Sequence, residues 1–127
     1  MCVAGELGVT HMPHIHLETT ADLPENANIP DILEALVEKL CEFETIDPAS
    51  VKAYHLLRSN WHMGKGAPAG FAHCTVAIVT GRPPELRKGI ADGMYAELRR
   101  HFSMSLEDRE VGITLELREM EKETYRK

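Results

Sequence analysis

Long apolar runs are absent from this sequence of 127 residues. A membrane-spanning helix requires about 20 consecutive apolar residues, and no run in this sequence approaches that length. Residues 1–11 likewise lack the basic start and the apolar stretch of a secretory signal. Positive charge is in the minority, since 14 lysines and arginines face 20 acidic residues, for a net charge of −6. We therefore expect neither a membrane nor a nucleic acid as a partner, although a few arginines in one pocket could still attract a small anion.

Cysteine is also scarce, with three residues and no pairing motif. An odd number of this kind predicts reduced thiols in a cytoplasmic protein. Cys41 falls at a core-like helical position and Cys74 lies in an apolar run. We therefore expect both to be small buried side chains rather than catalytic nucleophiles.

The rest of the chain alternates between strand and helix patterns. Four segments have the alternation or the continuous apolar composition of strands, and they cover residues 13–19, 51–62, 71–80 and 111–118. Two segments between them have apolar residues at helical spacing, and they run from Pro30 to Phe43 and from Leu86 to Phe102. The end of the chain, residues 119–127, is predicted to be a charged tail.

This order predicts an α+β fold of two β-α-β units, about 13–63 and 70–119, joined by the glycine-rich residues 64–70. Right-handed crossovers place both helices on one face of a shared sheet. The other sheet face is expected to be apolar and exposed, which predicts self-association. We expect residues 13–127 to form a single domain and residues 1–12 to be an extension or a mis-assigned start.

The pair Met12-Pro13 stands directly before the first predicted strand. If translation starts at Met12 and the methionine is removed, Pro13 carries a free secondary amine. Such a nitrogen can act as a general base when its surroundings lower its pKa toward neutrality. If Met1 is the first residue, the Pro13 nitrogen is an amide without basicity. The predicted function depends on which of these holds.

Several short segments, at their distances from one another, carry a family resemblance. They are Met12-Pro13-His14 with Glu18, Ile29-Pro30, Phe71-Ala72-His73-Cys74-Thr75, Gly81-Arg82, and the helix from Glu97-Leu98 to His101-Phe102. Through them the chain, from Pro13 to about Glu119, resembles the 5-carboxymethyl-2-hydroxymuconate isomerase branch of the tautomerase superfamily. The resemblance implies a doubled β-α-β fold assembled as a homotrimer. It also implies a cofactor-free isomerase that acts in homoprotocatechuate catabolism, downstream of ring cleavage.

The resemblance assigns the catalytic role to Pro13, which acts first as base and then as acid, moving a proton from the 2-hydroxy group of a dienol to a distant carbon. A dicarboxylate or tricarboxylate substrate also needs cations for its carboxylates and for the charge that develops at oxygen. The candidates are Lys52, where the family has its binding arginine, Arg58 on the same strand face, and Arg82 in the Gly-Arg turn. His14 follows the proline directly and is expected to help shape the site.

Two other functions stay open at this stage. A trimer of the same fold could bind a small anion without catalysis, which an intact extension before Pro13 would favour. A metal-binding or structural module is the other alternative, because polar residues alternate on the first strand. These residues are His14, His16 and Glu18, with His11 or His73 nearby. The spacing is not a recognised metal signature, and polar residues that line a pocket or an interface are the simpler interpretation, so no metal is predicted.

Overall fold

The computed structural model describes residues 13–108 and 110–126. Four strands form its sheet, and they are β1 (His14–Thr20), β2 (Lys52–Arg58), β3 (Gly70–Val79) and β4 (Val111–Met120). The helices are α1 (Ile29–Leu40), α2 (Pro84–His101) and the short α3 (Ser103–Asp108), with 3-10 turns at Pro24–Asn28 and Pro48–Ser50. Within these ranges, no helix is both long and apolar enough to cross a membrane.

The strands lie in the order β2-β1-β3-β4. The pairs β1–β2 and β3–β4 are parallel, whereas β1 and β3 are antiparallel to each other. Each parallel pair is connected through a long helix, α1 or α2, so the predicted pair of β-α-β units is confirmed. Strand β2 is shorter than the pattern predicted, because the alternation of residues 51–62 continues past the last residue that pairs with β1.

The hydrophobic core lies between the two long helices and one face of the sheet. Helix α1 buries Ile32, Leu36 and Leu40, which recur every four residues and so share one face. Helix α2 has the same spacing at its buried residues, which are Ile90, Met94 and Leu98. The strands contribute Ile15, Leu17, Ala72, Cys74, Val76 and Ile78, all fully buried. Both predicted helices and the buried thiol of Cys74 are thereby confirmed.

Glycine permits a close approach between the two helices at one point. A Cβ atom placed on Gly93 of α2 would lie 3.2 Å from Cζ of Phe43, which follows α1. At Gly89 of the same helix, by contrast, nothing lies within 4 Å of an added Cβ atom. A larger residue at Gly93 would therefore require the Phe43 ring to shift by a few tenths of an ångström.

The opposite sheet face corrects the expectation of an apolar exposed surface. Its side chains are mostly polar. Those of β1 and β3 are half-buried and include His14, His16, Glu18, His73 and Thr75, whereas Thr114, Glu116 and Arg118 of β4 are exposed. Strand β3, whose composition is almost continuously apolar, alternates between buried and half-buried residues. Its small residues Ala77 and Thr75 concealed this alternation, since neither is strongly apolar or strongly polar. Exposed apolar residues of this face are confined to the edge strand β2, at Tyr54 and Leu56.

The end of the chain is not the extended charged tail that the composition suggested. Strand β4 continues through Glu119 and Met120, which pair with Ile78 and Val79 of β3. After it the backbone turns, since the amide of Tyr125 donates a hydrogen bond to the carbonyl of Glu121 at 3.0 Å. This turn brings the Tyr125 side chain back to the polar sheet face, where it contacts His14.

Candidate functional site

A cavity of about 280 Å³ opens at the sheet edge where β1 and β2 begin and β3 and β4 end. It is lined by His14, His16, Tyr54, Thr75, Ala77, Arg118, Met120 and Tyr125. All four strands and the segment after β4 contribute to this lining. The cavity is therefore a product of strand register, and no single stretch of sequence contains it.

Pro13 lies at this edge and is buried. Its carbonyl accepts a hydrogen bond of 3.1 Å from the backbone amide of Lys52, which extends the β1–β2 ladder to the proline. The next residue, His14, lines the cavity. Because residues 1–12 lie outside the described residues, the choice between a free and an acylated Pro13 nitrogen stays a prediction.

His14 has a defined partner in the cavity wall. Its Nε2 lies 3.1 Å from the hydroxyl oxygen of Tyr125, and the two rings meet edge to face with centroids 6.1 Å apart. Burial lowers the pKa of His14 from its ordinary value of 6.5, and the positive charge of Lys52 lowers it further. The imidazole is therefore neutral at pH 7 and offers one donor and one acceptor nitrogen.

His16 stacks on the ring of Tyr54, with centroids 4.9 Å apart and an angle of 23° between the planes. Its Nε2 atom is buried and has no hydrogen-bond partner within residues 13–108 and 110–126. Leaving a buried polar group unpaired costs about 1–3 kcal/mol. A polar ligand group that bonded to this nitrogen would recover that cost, so His16 gives the cavity a second position for binding a polar group.

The predicted cation Lys52 lies beside the cavity, and Arg58 does not. Lys52 is the β2 partner of His14 in the parallel register, and its charge reaches that ring. Arg58 is at the other end of β2, about 20 Å along the strand at the rise of an extended chain. There its Nη2 contacts Oε2 of Glu18 at 2.6 Å in an ion pair. The structure thus joins Lys52 to Pro13 and His14 and leaves Arg58 outside the group.

Arg82 is placed away from the cavity, on the helix side of the sheet. Its side chain is buried, and its three nitrogens donate to Oγ1 of Thr45 at 2.8 Å, to the carbonyl of Thr45 at 3.0 Å and to the carbonyl of Val79 at 3.0 Å. These bonds fasten the loop after α1 to the end of β3. The guanidinium is engaged with backbone and hydroxyl oxygens, and the structure does not bring Arg82 together with Lys52 and His14. Its role in substrate binding stays a prediction, and we do not include it in the proposed site.

The alternating polar residues of β1 have separate partners. His14 contacts Tyr125, His16 stacks on Tyr54, and Glu18 pairs with Arg58. Across the part of the chain that the structure describes, no group of three or more His, Cys, Asp or Glu side chains is arranged to hold a metal ion. His11, which the sequence also suggested, lies outside the described residues. The arrangement fits the simpler interpretation of polar residues lining a pocket wall.

Sequence reasoning missed most of the residues that line the cavity, including the cation Arg118 and the hydroxyl of Tyr125. The alternation of the last strand does place Arg118 on its polar face, but only the β3–β4 register sets it opposite Ala77 at the cavity. Tyr125 lies in a segment whose composition resembles a tail, and nothing local in the sequence predicts its return to His14. Arg118 and Tyr125 add a cation and a hydroxyl group to the lining of the cavity.

The family of the chain follows from a comparison with protein-family models. The model described as 5-carboxymethyl-2-hydroxymuconate isomerase matches residues 13–127. The chain belongs to this family. The match begins at Pro13, the residue at the edge of the cavity. Family membership makes the protein an isomerase, and its fold is that of the tautomerase superfamily.

Individual relatives agree with this assignment. The 5-carboxymethyl-2-hydroxymuconate Delta-isomerase of Escherichia coli is 23% identical over 110 residues, which cover 86% of this chain and 87% of the relative. A crystal structure of a 5-carboxymethyl-2-hydroxymuconate isomerase from Deinococcus radiodurans R1 superposes with a TM-score of 0.84 at 27% identity, covering 91% of this chain and 88% of that one. A fused 4-OT protein described as a symmetric trimer has the same fold, with a TM-score of 0.66 at 18% identity and 86% of each chain covered.

Proposed function

We propose that this isomerase converts a 5-carboxymethyl-2-hydroxymuconate-type dienol into its 2-oxo isomer without a cofactor, in the catabolism of homoprotocatechuate. Pro13 is the first residue of the active chain in this proposal and acts as base and then as acid. The observation that carries the proposal is the burial of Pro13 at a cavity edge beside Lys52 and His14. The names of the Escherichia coli and Deinococcus relatives support the substrate class.

The reaction needs a single group that accepts and returns one proton. The secondary amine of Pro13 takes the proton from the 2-hydroxy group, the oxygen lone pair forms the carbonyl, and the conjugated double bonds shift. The carbon at the far end of the conjugated system then takes the proton back from the protonated amine. No proton is gained or lost overall, and no oxidant or reductant is required. A positioned base of this kind contributes about 10²- to 10⁴-fold to the rate.

The surroundings of Pro13 favour an amine that is neutral at pH 7. Burial and the charge of Lys52 lower the pKa of His14, the next residue. The same two effects disfavour a second positive charge on a free Pro13 amine, since both act over short distances. Lys52 would also attract a carboxylate of the substrate, and a lysine does so as a point charge rather than with the two-point geometry of arginine.

Two forms of the protein test this proposal. One begins at Pro13 after removal of Met12, and the other retains residues 1–12, with intact mass establishing which form is present. We expect the first form to isomerise the dienol, followed by its ultraviolet absorbance, and the second to be at least about 100-fold slower because an amide nitrogen is not a base. Equal turnover by both forms would refute the role of Pro13. Binding without turnover in both would instead support a catalytically silent anion-binding protein.

We further propose that the active protein is a homotrimer in the cytoplasm. The trimeric 4-OT structure of the same fold supports the assembly. The outer edges of β2 and β4 support it too, because they pair with no further strand among residues 13–108 and 110–126 and can pair with another subunit. Three cysteines without a pairing motif support a reducing compartment. Light scattering on the chain that begins at Pro13 measures the mass, and a monomer at assay concentration would contradict the trimer.

A further inference from the structure

Four residues form one row across the polar sheet face at the cavity. Arg118 of β4 is the register partner of Ala77 in β3, and Ala77 is the partner of His14 in β1. His14 in turn is the partner of Lys52 in β2. The row therefore has a cation at each end, and between them lie a neutral imidazole and a methyl group.

The width of this row suits an elongated ligand. Neighbouring strands lie about 4.8 Å apart, so the backbones that carry Lys52 and Arg118 are separated by about 14 Å. Both side chains are long enough to lean inward over the sheet. Ala77 has only a methyl group, which leaves room above it, and the cavity of about 280 Å³ lies at this position. A ligand with carboxylates at both ends could contact both cations at once.

Arg118 has an exposed ion pair with a residue of its own strand. Its Nη2 lies 2.9 Å from Oε1 of Glu116, and the two side chains are 61% and 50% exposed. Exposed ion pairs of this kind contribute little to stability, so a ligand carboxylate can replace Glu116 at little cost. A carboxylate in the cavity can also receive two parallel hydrogen bonds from the guanidinium, which a single oxygen of Glu116 does not.

We propose that Arg118 binds the carboxylate of the substrate that lies farthest from Lys52, and that Glu116 is the internal counter-ion which this carboxylate displaces. Strand β4 therefore determines the preference for ligands with two carboxylates. The identity of the ligand as a substrate rests on the proposed function, whereas its binding does not require a basic nitrogen at Pro13.

Binding of two simple dienes tests the proposal. Muconate has a carboxylate at each end of a six-carbon diene, and sorbate has the same carbon chain with one carboxylate. Titration calorimetry on the unmodified protein should show tighter binding of muconate. In Arg118→Gln we expect the Kd of muconate to rise about 10- to 100-fold, since a charge-assisted contact is lost, and the preference for muconate over sorbate to fall by the same factor.

Two further variants complete the test. One is expected to bind muconate more tightly, and the other is a control whose affinity should not change. Glu116→Gln removes the competing carboxylate and should tighten muconate binding by about two- to five-fold. Arg100→Gln is the matched control, because Arg100 also pairs with a carboxylate, Glu97, and is 66% exposed, but it lies on α2 away from the cavity. Its muconate affinity should equal that of the unmodified protein.

Three results would overturn the proposal: no binding of muconate by the unmodified protein, an unchanged preference in Arg118→Gln, or an equal loss in Arg100→Gln. Measuring turnover of the dienol distinguishes failure of this inference from failure of the proposed function. An inactive chain that still binds muconate through Arg118 would leave the inference standing without the proposed reaction. An active chain whose Arg118→Gln variant keeps the original KM would retain the reaction and refute the inference, which expects KM to rise more than kcat falls.

Discussion

Replacing Arg82 with alanine tests whether this residue stabilises the fold or binds the substrate. The residue is 8% exposed, and it donates three hydrogen bonds to the oxygens of Thr45 and Val79. A hydrogen bond with a charged partner contributes about 1.5–3 kcal/mol, but water can reach part of this loop after truncation, so we take about 1 kcal/mol for each. The free energy of unfolding should fall by about 3 kcal/mol, or roughly 10 °C in Tm for a chain of this length.

Urea denaturation followed by circular dichroism measures this loss at a fixed protein concentration, since assembly makes apparent stability concentration-dependent. Arg58→Ala is the matched control, because its ion pair with Glu18 is partly exposed and should contribute about 0–1 kcal/mol. At a temperature where both variants are folded, Arg82→Ala should bind muconate with unchanged affinity. A stability loss below about 1 kcal/mol together with weaker muconate binding would refute the structural role and restore Arg82 to the site.

Three other perturbations have defined outcomes. Pro13→Ala, in a chain that begins at residue 13, should lower kcat about 100-fold or more, because a primary amine replaces the secondary one. The mass of the assembled protein should not change. Unchanged turnover would contradict the mechanism. Lys52→Gln should raise the pKa of His14 but not to its ordinary 6.5, since burial, the larger cause, remains; a proton NMR titration that shows no rise would contradict the assigned cause. The unfolded chain takes up a proton at His14 near pH 6.5 while the folded one resists it, so stability should fall as pH drops below about 6.5, and less steeply in Lys52→Gln. Glu25→Gln should lower the free energy of unfolding by about 1–2 kcal/mol in chemical denaturation. The reason is that the buried carboxylate accepts hydrogen bonds from the amide and the hydroxyl of Ser105, at 2.8 and 2.5 Å. A loss no larger than that of Arg58→Ala would contradict this prediction.

Periodicity along the chain was enough to predict the two long helices and most strands of this protein, but not the short helix α3. Ile32, Leu36 and Leu40 are four residues apart, and an α-helix necessarily brings such residues to one face, whatever it packs against. The alternation of β1 likewise separates His14 and His16 from the buried Ile15. These patterns depend only on backbone geometry within one segment, so they are visible before any tertiary contact forms.

Which residues become neighbours across the sheet could not be predicted without the tertiary structure. Arg118 reaches the cavity because β4 pairs with β3 in a register that joins residues about 40 positions apart in the chain, and a slip by one residue would turn it to the core. Tyr125 contacts His14 across 111 positions. Arg82 has a local motif that suggests ligand binding, yet the loop at Thr45 engages its donors. Local sequence thus determined which side chains share a face, whereas pairing between distant segments decided which of them meet at Pro13.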